Sequence, residues 1–298
     1  GYLRPGLAAV HIVQHAGRAA IVDTGSNDTV PWILAALGTL GLAPADVDYV
    51  LLTHVHLDHA GGAGQLMRAL PNARAVVHPR GAPHMVDPSK LIAGSTAVYG
   101  EQRYRELYGD IVAIDRARVI ETQDGMRLDL AGRPLEFLHT PGHALHHQAI
   151  HDRVADAIFS GDTFGLSYRD FDGPGGPMIL ATTTPTQFDP DQLVASIERL
   201  VAREPRAIYL THYSRVTGIP ALGAEVKRQV QAFVAIARRH AASPDRTARI
   251  TADMRSLWHD LATRLGCPRS PTEIDAILAM DLELNVQGLE AWLGRIAA

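Results

Sequence analysis

The hydrophobic and polar positions of the N-terminal part of the chain predict short strands separated by helices. Two β-rich runs flank Ala16-Gly17, which indicates a hairpin. Apolar residues at helical spacing predict a helix over Pro31–Leu40 that stops at Gly41, with an inner stripe of Trp32, Leu34, Leu37 and Leu40. The other predicted elements are strands at Ala8–Gln14, Arg18–Asp23, Asp48–Leu52 and Ala73–His78 and a helix at about Gly64–Leu70.

The later pattern is irregular at first and then becomes helical. Repeated prolines and glycines in residues 79–110 predict loops and short helices. A second sheet is predicted within Ile111–His139, and further strands precede Asp162 and His212. Beyond Pro220 amphipathic helices dominate, one opening with a capping box of Ser270 and Glu273 and the last following Asn285. We therefore predict a domain of residues 1–219 and a helical C-terminal region of residues 220–298.

The composition is that of an ordinary globular protein and argues against several classes. The 298 residues, 46% hydrophobic and 20% charged, suffice for one large domain with or without a small appendage. A formal charge of −4 offers no basic surface, so no nucleic-acid partner is expected. No apolar run reaches the roughly 20 residues of a membrane helix, so no membrane partner is expected. The only cysteine, Cys267, cannot form an intramolecular disulfide, and the expected location is cytoplasmic, although a sequence that starts at Gly1 is also compatible with a removed leader.

The residues with the clearest chemistry follow the strand at Asp48–Leu52. Three histidines and an aspartate stand close together in the stretch Thr53-His54-Val55-His56-Leu57-Asp58-His59-Ala60-Gly61-Gly62. In an extended chain His54, His56 and Asp58 would point to one side, and the chain is expected to turn at His59. Neutral imidazoles combined with a carboxylate suit zinc, iron or manganese, whereas calcium prefers oxygen ligands alone. The stretch predicts a metal site and not a surface histidine cluster.

This stretch resembles the signature of the metallo-β-lactamase superfamily, in particular its branch around glyoxalase II and the lactonases. The resemblance continues in order through Thr140-Pro141-Gly142-His143, Ser160-Gly161-Asp162-Thr163 and Leu210-Thr211-His212. It implies an α/β (α+β) fold, a four-layer αββα sandwich with the metals at one edge of its two sheets. The helices after residue 220 would form a C-terminal helical extension.

The resemblance also implies a ligand set for two divalent transition-metal ions, with zinc expected first and iron or manganese as alternatives. The implied ligands are His54, His56 and His143 for one ion, Asp58, His59 and His212 for the other, and Asp162 as the bridge. Asp23 resembles an aspartate that orients a ligand from beneath the site. His146 and His147 are not expected to bind metal.

The function that the resemblance implies is a dinuclear metal-dependent hydrolase, in which a metal-bridging hydroxide attacks an ester-like bond of a small-molecule substrate. A thioester or a lactone is the expected substrate. Asp58 is the candidate for orienting the hydroxide or accepting its proton. Tyr168 and Tyr213 are the candidates for donating a hydrogen bond to the developing oxyanion.

Two alternatives remain open at this point. The same residues could hold iron in a redox protein, either one that resembles the persulfide dioxygenases or a di-iron module that binds or senses oxygen. The complete ligand set disfavours the dioxygenase, and the flavodiiron pattern would place a glutamate where His56 stands. The C-terminal helices could contact the substrate or serve packing and formation of a homodimer.

Overall fold

The structure, a computed structural model, describes residues 4–297. The described strands form two sheets. They are β1 (His11–His15), β2 (Arg18–Val22), β3 (Val47–Leu51), β4 (Arg74–Val77), β5 (Val119–Glu121), β6 (Arg127–Leu130), β7 (Arg133–His139), β8 (Gln148–Asp152), β9 (Ala157–Gly161), β10 (Ala207–Leu210) and β11 (Ser214–Val216).

The helices fall into a scattered N-terminal group and a continuous C-terminal group. Those before residue 110 are α1 (Val30–Thr39), α2 (Leu57–Ala60), α3 (Ala63–Ala69), α4 (Ala82–Val86), α5 (Ser89–Tyr99) and α6 (Glu101–Tyr108). The later ones are α7 (Pro190–Val201), α8 (Ile219–His240), α9 (Arg246–Leu265), α10 (Pro271–Ile277) and α11 (Ala279–Ala297). None of the helices within residues 4–297 combines the length and apolarity needed to cross a membrane.

The chain divides into two compact units. The first comprises the residues up to His139 together with His146–Gly161, and the second comprises Thr140–Leu145 and the residues from Asp162 onward. The boundary predicted at residue 219 falls inside the second unit, which already contains α7 and the hairpin of β10 and β11. The separation of the residues from 220 onward as a domain of their own stays a prediction.

The five-stranded sheet of the first unit has the order β1-β2-β3-β4-β5. The β1-β2 hairpin is antiparallel and turns at Ala16 and Gly17, both at positive φ, as the sequence predicts. The pairs from β2 to β5 are parallel, so their carboxyl ends lie along one edge. β5 was predicted as part of the second sheet, and that prediction was wrong, because its apolar residues pair with β4.

Helix α1 covers the five-stranded sheet with a different face from the one predicted. Its buried residues are Val30, Ile33 and Leu37, which keep the spacing of a helical stripe. The predicted stripe was wrong at its two ends, since Trp32 is 69% exposed and Leu40 is 46% exposed. The stripe of Val30, Ile33 and Leu37 fits the same apolar sequence as the predicted stripe, and packing against the sheet decides which of the two is buried.

Residues 79–110 are more helical than the prolines and glycines suggested, since they contain α4, α5 and α6. Helix α5 nevertheless has no buried residue. The first unit is completed by four antiparallel strands in the order β9-β8-β7-β6. Every residue of β8 and β9 is buried, including the polar Gln148, His151 and Asp152 of β8.

Three helix boundaries of the second unit fall at the residues that the sequence indicated. Asp189 caps α7 through Gln192 N at 3.0 Å, and Ser270 and Glu273 form the capping box of α10. Gly266, at a φ of 66°, ends α9. The last helix does not begin after Asn285 as predicted. It begins at Ala279 and buries Asn285 on its inner face.

Candidate metal centre

The first set of predicted ligands lies where β3 ends in the first unit. After Leu51 the chain bends at Thr53 and enters α2 at Leu57, with His56 as the N-cap. Asp58 and His59 therefore lie on a helical turn, and the chain leaves the extended conformation earlier than the predicted turn at His59. His54 and His59 are buried, whereas His56 and Asp58 are partly exposed.

Asp23 anchors this set from the neighbouring strand end. Parallel pairing of β2 and β3 brings Asp23 beside β3, and its N–H donates to Leu51 O at 2.9 Å. The buried Asp23 carboxylate accepts from Thr53 N at 2.8 Å and from Thr53 Oγ1, and it lies 2.9 Å from His59 Nδ1. A carboxylate only accepts, so His59 carries its proton on Nδ1 and presents the Nε2 lone pair. Asp23 thus has the geometry expected of the residue that orients a ligand.

The same reasoning fixes the tautomer of His54. The Thr53 hydroxyl donates its single proton to Asp23, so its lone pair accepts from His54 Nδ1, 3.2 Å away. The Nε2 atom of His54 is then the unprotonated nitrogen, and it lies 2.8 Å from His56 Nδ1. His59 Nε2 in turn lies 3.7 Å from Asp58 Oδ2. The side chains of His54, His56, Asp58 and His59 therefore bring nitrogen and oxygen atoms that carry lone pairs close together.

Gln148, the first residue of β8, supports this set, and sequence reasoning missed it. Its backbone N–H donates to Thr53 O and its side-chain Nε2 donates to Leu52 O, both at 2.8 Å. Its Oε1 accepts from Thr122 Oγ1 at 2.6 Å. Gln148 is fully buried, so these bonds are shielded from water. No sequence signal identified Gln148, because β8 also contains the polar residues His151 and Asp152.

His146 and His147 lie against the first set without replacing any member. The His146 ring stacks 6.1 Å from that of His54 and meets His56 edge-on at 5.4 Å. Its Nδ1 accepts from Val55 N at 3.4 Å. His147 is fully buried with its ring 4.8 Å from that of His54. Both histidines therefore help to shape the surroundings of His54, and their predicted lack of a ligand role stays a prediction.

The second set lies in the second unit and consists of His143, Asp162 and His212. His143 Nε2 is 3.4 Å from Asp162 Oδ2, and His212 Nε2 is 3.9 Å from Asp162 Oδ1. The Asp162 carboxylate therefore has a different histidine near each of its oxygens. All three side chains are buried. This arrangement is what a bridging carboxylate requires.

Thr182 orients His143. Its hydroxyl lies 3.0 Å from His143 Nδ1 and donates to Asp162 O at 3.4 Å. Because a carbonyl oxygen cannot donate, the threonine proton points to Asp162 and its lone pair accepts from His143 Nδ1. His143 Nε2 is therefore the unprotonated nitrogen, as in His54 and His59. No sequence signal distinguished Thr182 from its neighbours.

The two predicted catalytic tyrosines have different surroundings. Tyr168 is buried, and its hydroxyl donates to Asp281 Oδ1 at 3.1 Å. This bond engages the proton that an oxyanion donor would have to supply. Tyr213 is half-buried, and its backbone carbonyl accepts from Arg169 Nε at 3.1 Å. Their roles in an oxyanion site stay predictions.

The fold and these residues define a mixed α/β protein with groups of side chains that could hold metal ions. Within residues 4–297 the members of these groups are His54, His56, Asp58, His59, His143, Asp162 and His212. Residues 3–212 match the Metallo-beta-lactamase superfamily. The chain belongs to this superfamily, and the predicted fold class is confirmed.

Three curated relatives illustrate the similarity. The chain is 27% identical to the metallo-beta-lactamase fold-containing protein ST1585 of Sulfurisphaera tokodaii over 70% of this chain and 73% of that protein. It is 33% identical to the hydroxyacylglutathione hydrolase of Xanthomonas euvesicatoria over 61% of this chain and 52% of the relative. It is 27% identical to the human acyl-coenzyme A thioesterase MBLAC2 over 52% and 57% of the two chains. The chain thus spans only about half the length of the last two. The names of the last two relatives describe hydrolases.

Two solved structures share the fold. The metallo-beta-lactamase family protein TTHA1429 from Thermus thermophilus matches with a TM-score of 0.66 and 22% identity, over 99% of this chain and 91% of that one. TTHA1623 in a di-iron-bound form matches with a TM-score of 0.54 and 27% identity, over 74% of this chain and 96% of that one.

Proposed function

We propose that the chain is a dinuclear metal-dependent hydrolase of ester-like bonds, with a thioester as the first substrate class and a lactone as the second. The observation that carries the proposal is that all seven predicted ligands belong to groups able to hold a metal. In three of them, His54, His59 and His143, an oxygen partner at Nδ1 leaves Nε2 as the unprotonated nitrogen. Such partners are typical of metal-binding histidines.

The donor set fits two transition-metal ions. We assign His54, His56 and His143 to one ion, Asp58, His59 and His212 to the other, and Asp162 to both. Imidazole nitrogens with two carboxylates suit zinc, iron or manganese. When bound, a metal pair of this kind supplies a hydroxide nucleophile at neutral pH and polarises the bond to be cleaved.

The residues of the chain have separate tasks in this reaction. Asp23, Thr53 and Thr182 hold the histidine rings in one orientation and one tautomer, so little reorganisation is needed on binding. Asp58 is partly exposed, and its carboxylate can orient the nucleophile and accept its proton. His56 is the other partly exposed ligand of the first set, so we expect the substrate to approach on the side of His56 and Asp58.

The preference for a thioester draws on the relatives. One is named a hydroxyacylglutathione hydrolase and another an acyl-coenzyme A thioesterase. Both names describe hydrolysis of an acyl group. The ligand set is compatible with a lactone as well, because the same nucleophile attacks any activated carbonyl.

A second candidate is an iron-dependent redox protein, and one observation favours it. TTHA1623, which shares the fold, was solved in a di-iron-bound form. Nitrogen and oxygen donors discriminate weakly between zinc and iron, so availability decides which metal is bound. The two candidates differ in whether the metal must change its oxidation state.

The deciding experiment loads metal-free protein with zinc alone under anaerobic conditions and assays panels of thioesters and lactones. Zinc has no redox chemistry, so we expect hydrolysis with about two zinc ions per chain. The matched control is the same protein loaded with iron(II) in air, with oxygen consumption recorded. Activity that needs iron and consumes oxygen, with none from the zinc form, would replace the hydrolase with the redox protein.

A further inference from the structure

One face of helix α11 contacts the segment of residues 182–188. The residues on this face are Asn285, Gly288 and Arg295, whose spacing of three and seven positions places them along one helical stripe. Asn285 is buried although it is polar. A buried amide needs hydrogen-bond partners, and the amide oxygen of Asn285 has its partner in the segment.

Asn285 holds Thr183 on two sides. Its Oδ1 accepts from Thr183 N at 2.7 Å, and its backbone carbonyl accepts from Thr183 Oγ1 at 2.9 Å. The Asn285 side chain also donates to Asp281 O at 2.7 Å, which fixes its amide orientation. Thr183 is therefore bonded to α11 through both its backbone and its side chain.

Gly288 and Arg295 extend this contact toward the C-terminal end of α11. A Cβ atom at Gly288 would overlap Thr183 Oγ1 and would lie 2.7 Å from Thr184 O, so only glycine permits this approach. Arg295 donates to Thr186 O at 2.7 Å and also to Phe188 O. The helix thus fixes the backbone of the segment at several points.

The other side of the same segment holds the ligand loop. Thr182 and Thr184, on either side of Thr183, both contact His143: the first at Nδ1 and the second by donating to its backbone carbonyl at 2.8 Å. Gln187 Oε1 accepts from Leu145 N at 2.9 Å. Alternation along an extended segment explains why Thr183 faces the helix while its neighbours face His143.

We propose that α11 is part of the metal-binding machinery: through residues 182–188 it positions His143, and Asn285 and Gly288 are positioning residues for this ligand. The inference rests on the proposed function only in taking His143 as a metal ligand. It gives the C-terminal helices a task that neither substrate contact nor dimer formation describes.

The test compares two glycines of the same helix in the full-length protein. Gly288→Ala pushes a methyl group into Thr183 and Thr184, whereas Gly294→Ala adds the same group where nothing lies within 4 Å. Both changes raise helix propensity equally. Zinc affinity is measured by competition with a chromophoric chelator, and cobalt(II) absorption reports the coordination. We expect Gly288→Ala to weaken one of the two zinc sites by roughly 10- to 100-fold, as changes behind a ligand do, and Gly294→Ala to leave both unchanged.

A second pair tests the contact with His143 itself. Thr182→Val removes the hydroxyl at constant shape and should weaken the same zinc site, whereas Thr182→Ser retains the hydroxyl and should restore most of its affinity. If Gly288→Ala does not fold, Arg295→Met, at an exposed helix position, replaces it and must show a loss at that site. Wild-type zinc affinity and cobalt spectrum in a folded Gly288→Ala or Arg295→Met variant would overturn the proposal. Wild-type protein that binds zinc without hydrolysing any substrate would instead contradict the proposed function and leave this inference standing.

Discussion

At the scale of single residues, the ligand histidines are oriented by oxygen atoms that belong to buried side chains. Thr53 contacts His54 and Asp23 contacts His59. Thr182 contacts His143. Each of these partners accepts a hydrogen bond from Nδ1 and so leaves Nε2 as the unprotonated nitrogen. The choice of nitrogen is therefore made by the fold before any metal binds.

Asp23→Asn should weaken metal binding while retaining the fold. The amide oxygen can still accept from Thr53 N, but the amide NH₂ then faces a group that also donates, either Thr53 Oγ1 or His59 Nδ1. We expect roughly a 10- to 100-fold loss of zinc affinity and a loss of about 1–3 kcal/mol in the free energy of unfolding. Isothermal titration with zinc and urea unfolding measure the two, and Asp28→Asn is the control. Unchanged zinc affinity would remove the orienting role of Asp23.

Asp162→Ala should abolish binding of the metal pair and hydrolysis, because Asp162 is the one ligand assigned to both ions. The side chain is short and lies at the end of a strand, so we expect the variant to remain folded. Elemental analysis and the hydrolase assay give the result, with Asp191→Ala on the exposed start of α7 as control. Two metal ions retained at full activity would refute the bridge.

At the scale of elements, helix α1 shows which features a local sequence pattern can predict and which it cannot. Its existence and length follow from helical spacing, but the face that it buries does not, because apolar residues surround most of the helix. Ile33 is 3% exposed and Trp32 is 69% exposed. The two neighbours therefore have opposite surroundings.

Ile33→Ala should lower the free energy of unfolding by about 2–5 kcal/mol, since it removes buried methyl groups and leaves a cavity. Trp32→Ala should change it by less than about 0.5 kcal/mol, as expected for a surface substitution. Urea unfolding of both variants checks the difference. A larger loss for Trp32→Ala would support the stripe predicted from sequence and contradict the structure of this helix.

The elements that could be predicted are those whose own residues carry the sequence pattern. Strands β2, β3 and β9, the cap of α7 and the end of α9 at Gly266 all follow from short local patterns. The sheet to which β5 belongs and the start of α11 depend on contacts with distant residues. The same holds for the site: a motif indicates the ligands, whereas Gln148, Thr182 and Asn285 act through hydrogen bonds to residues far away in sequence.

At the scale of the whole molecule, one buried histidine links stability to pH. Burial, with the neighbouring His139 and Arg80 adding to it, lowers the pKa of His78 to about 4. The ring of His139 lies 4.1 Å away, and His78 Nδ1 accepts from Arg80 N at 3.1 Å. The folded protein therefore keeps His78 neutral at pH values where the unfolded chain protonates it.

Stability should fall as the pH is lowered from about 6.5 to about 4, because the unfolded state binds more protons in this window. His78 contributes no more than about 3 kcal/mol to this change in the free energy of unfolding. Urea unfolding of metal-free protein across this range should show a shallower slope for His78→Gln than for wild type. Equal slopes for the two proteins would exclude His78 as a source of the pH dependence.

The contact between α11 and residues 182–188 has a consequence for the order of events during synthesis. A ribosome makes His54, His143 and Asp162 long before it makes Asn285 and Gly288. Until those residues emerge, His143 lacks the support that fixes its ring, so a nascent chain should hold zinc loosely and exchange it readily. On the proposal above, tight metal binding would then follow the synthesis of α11.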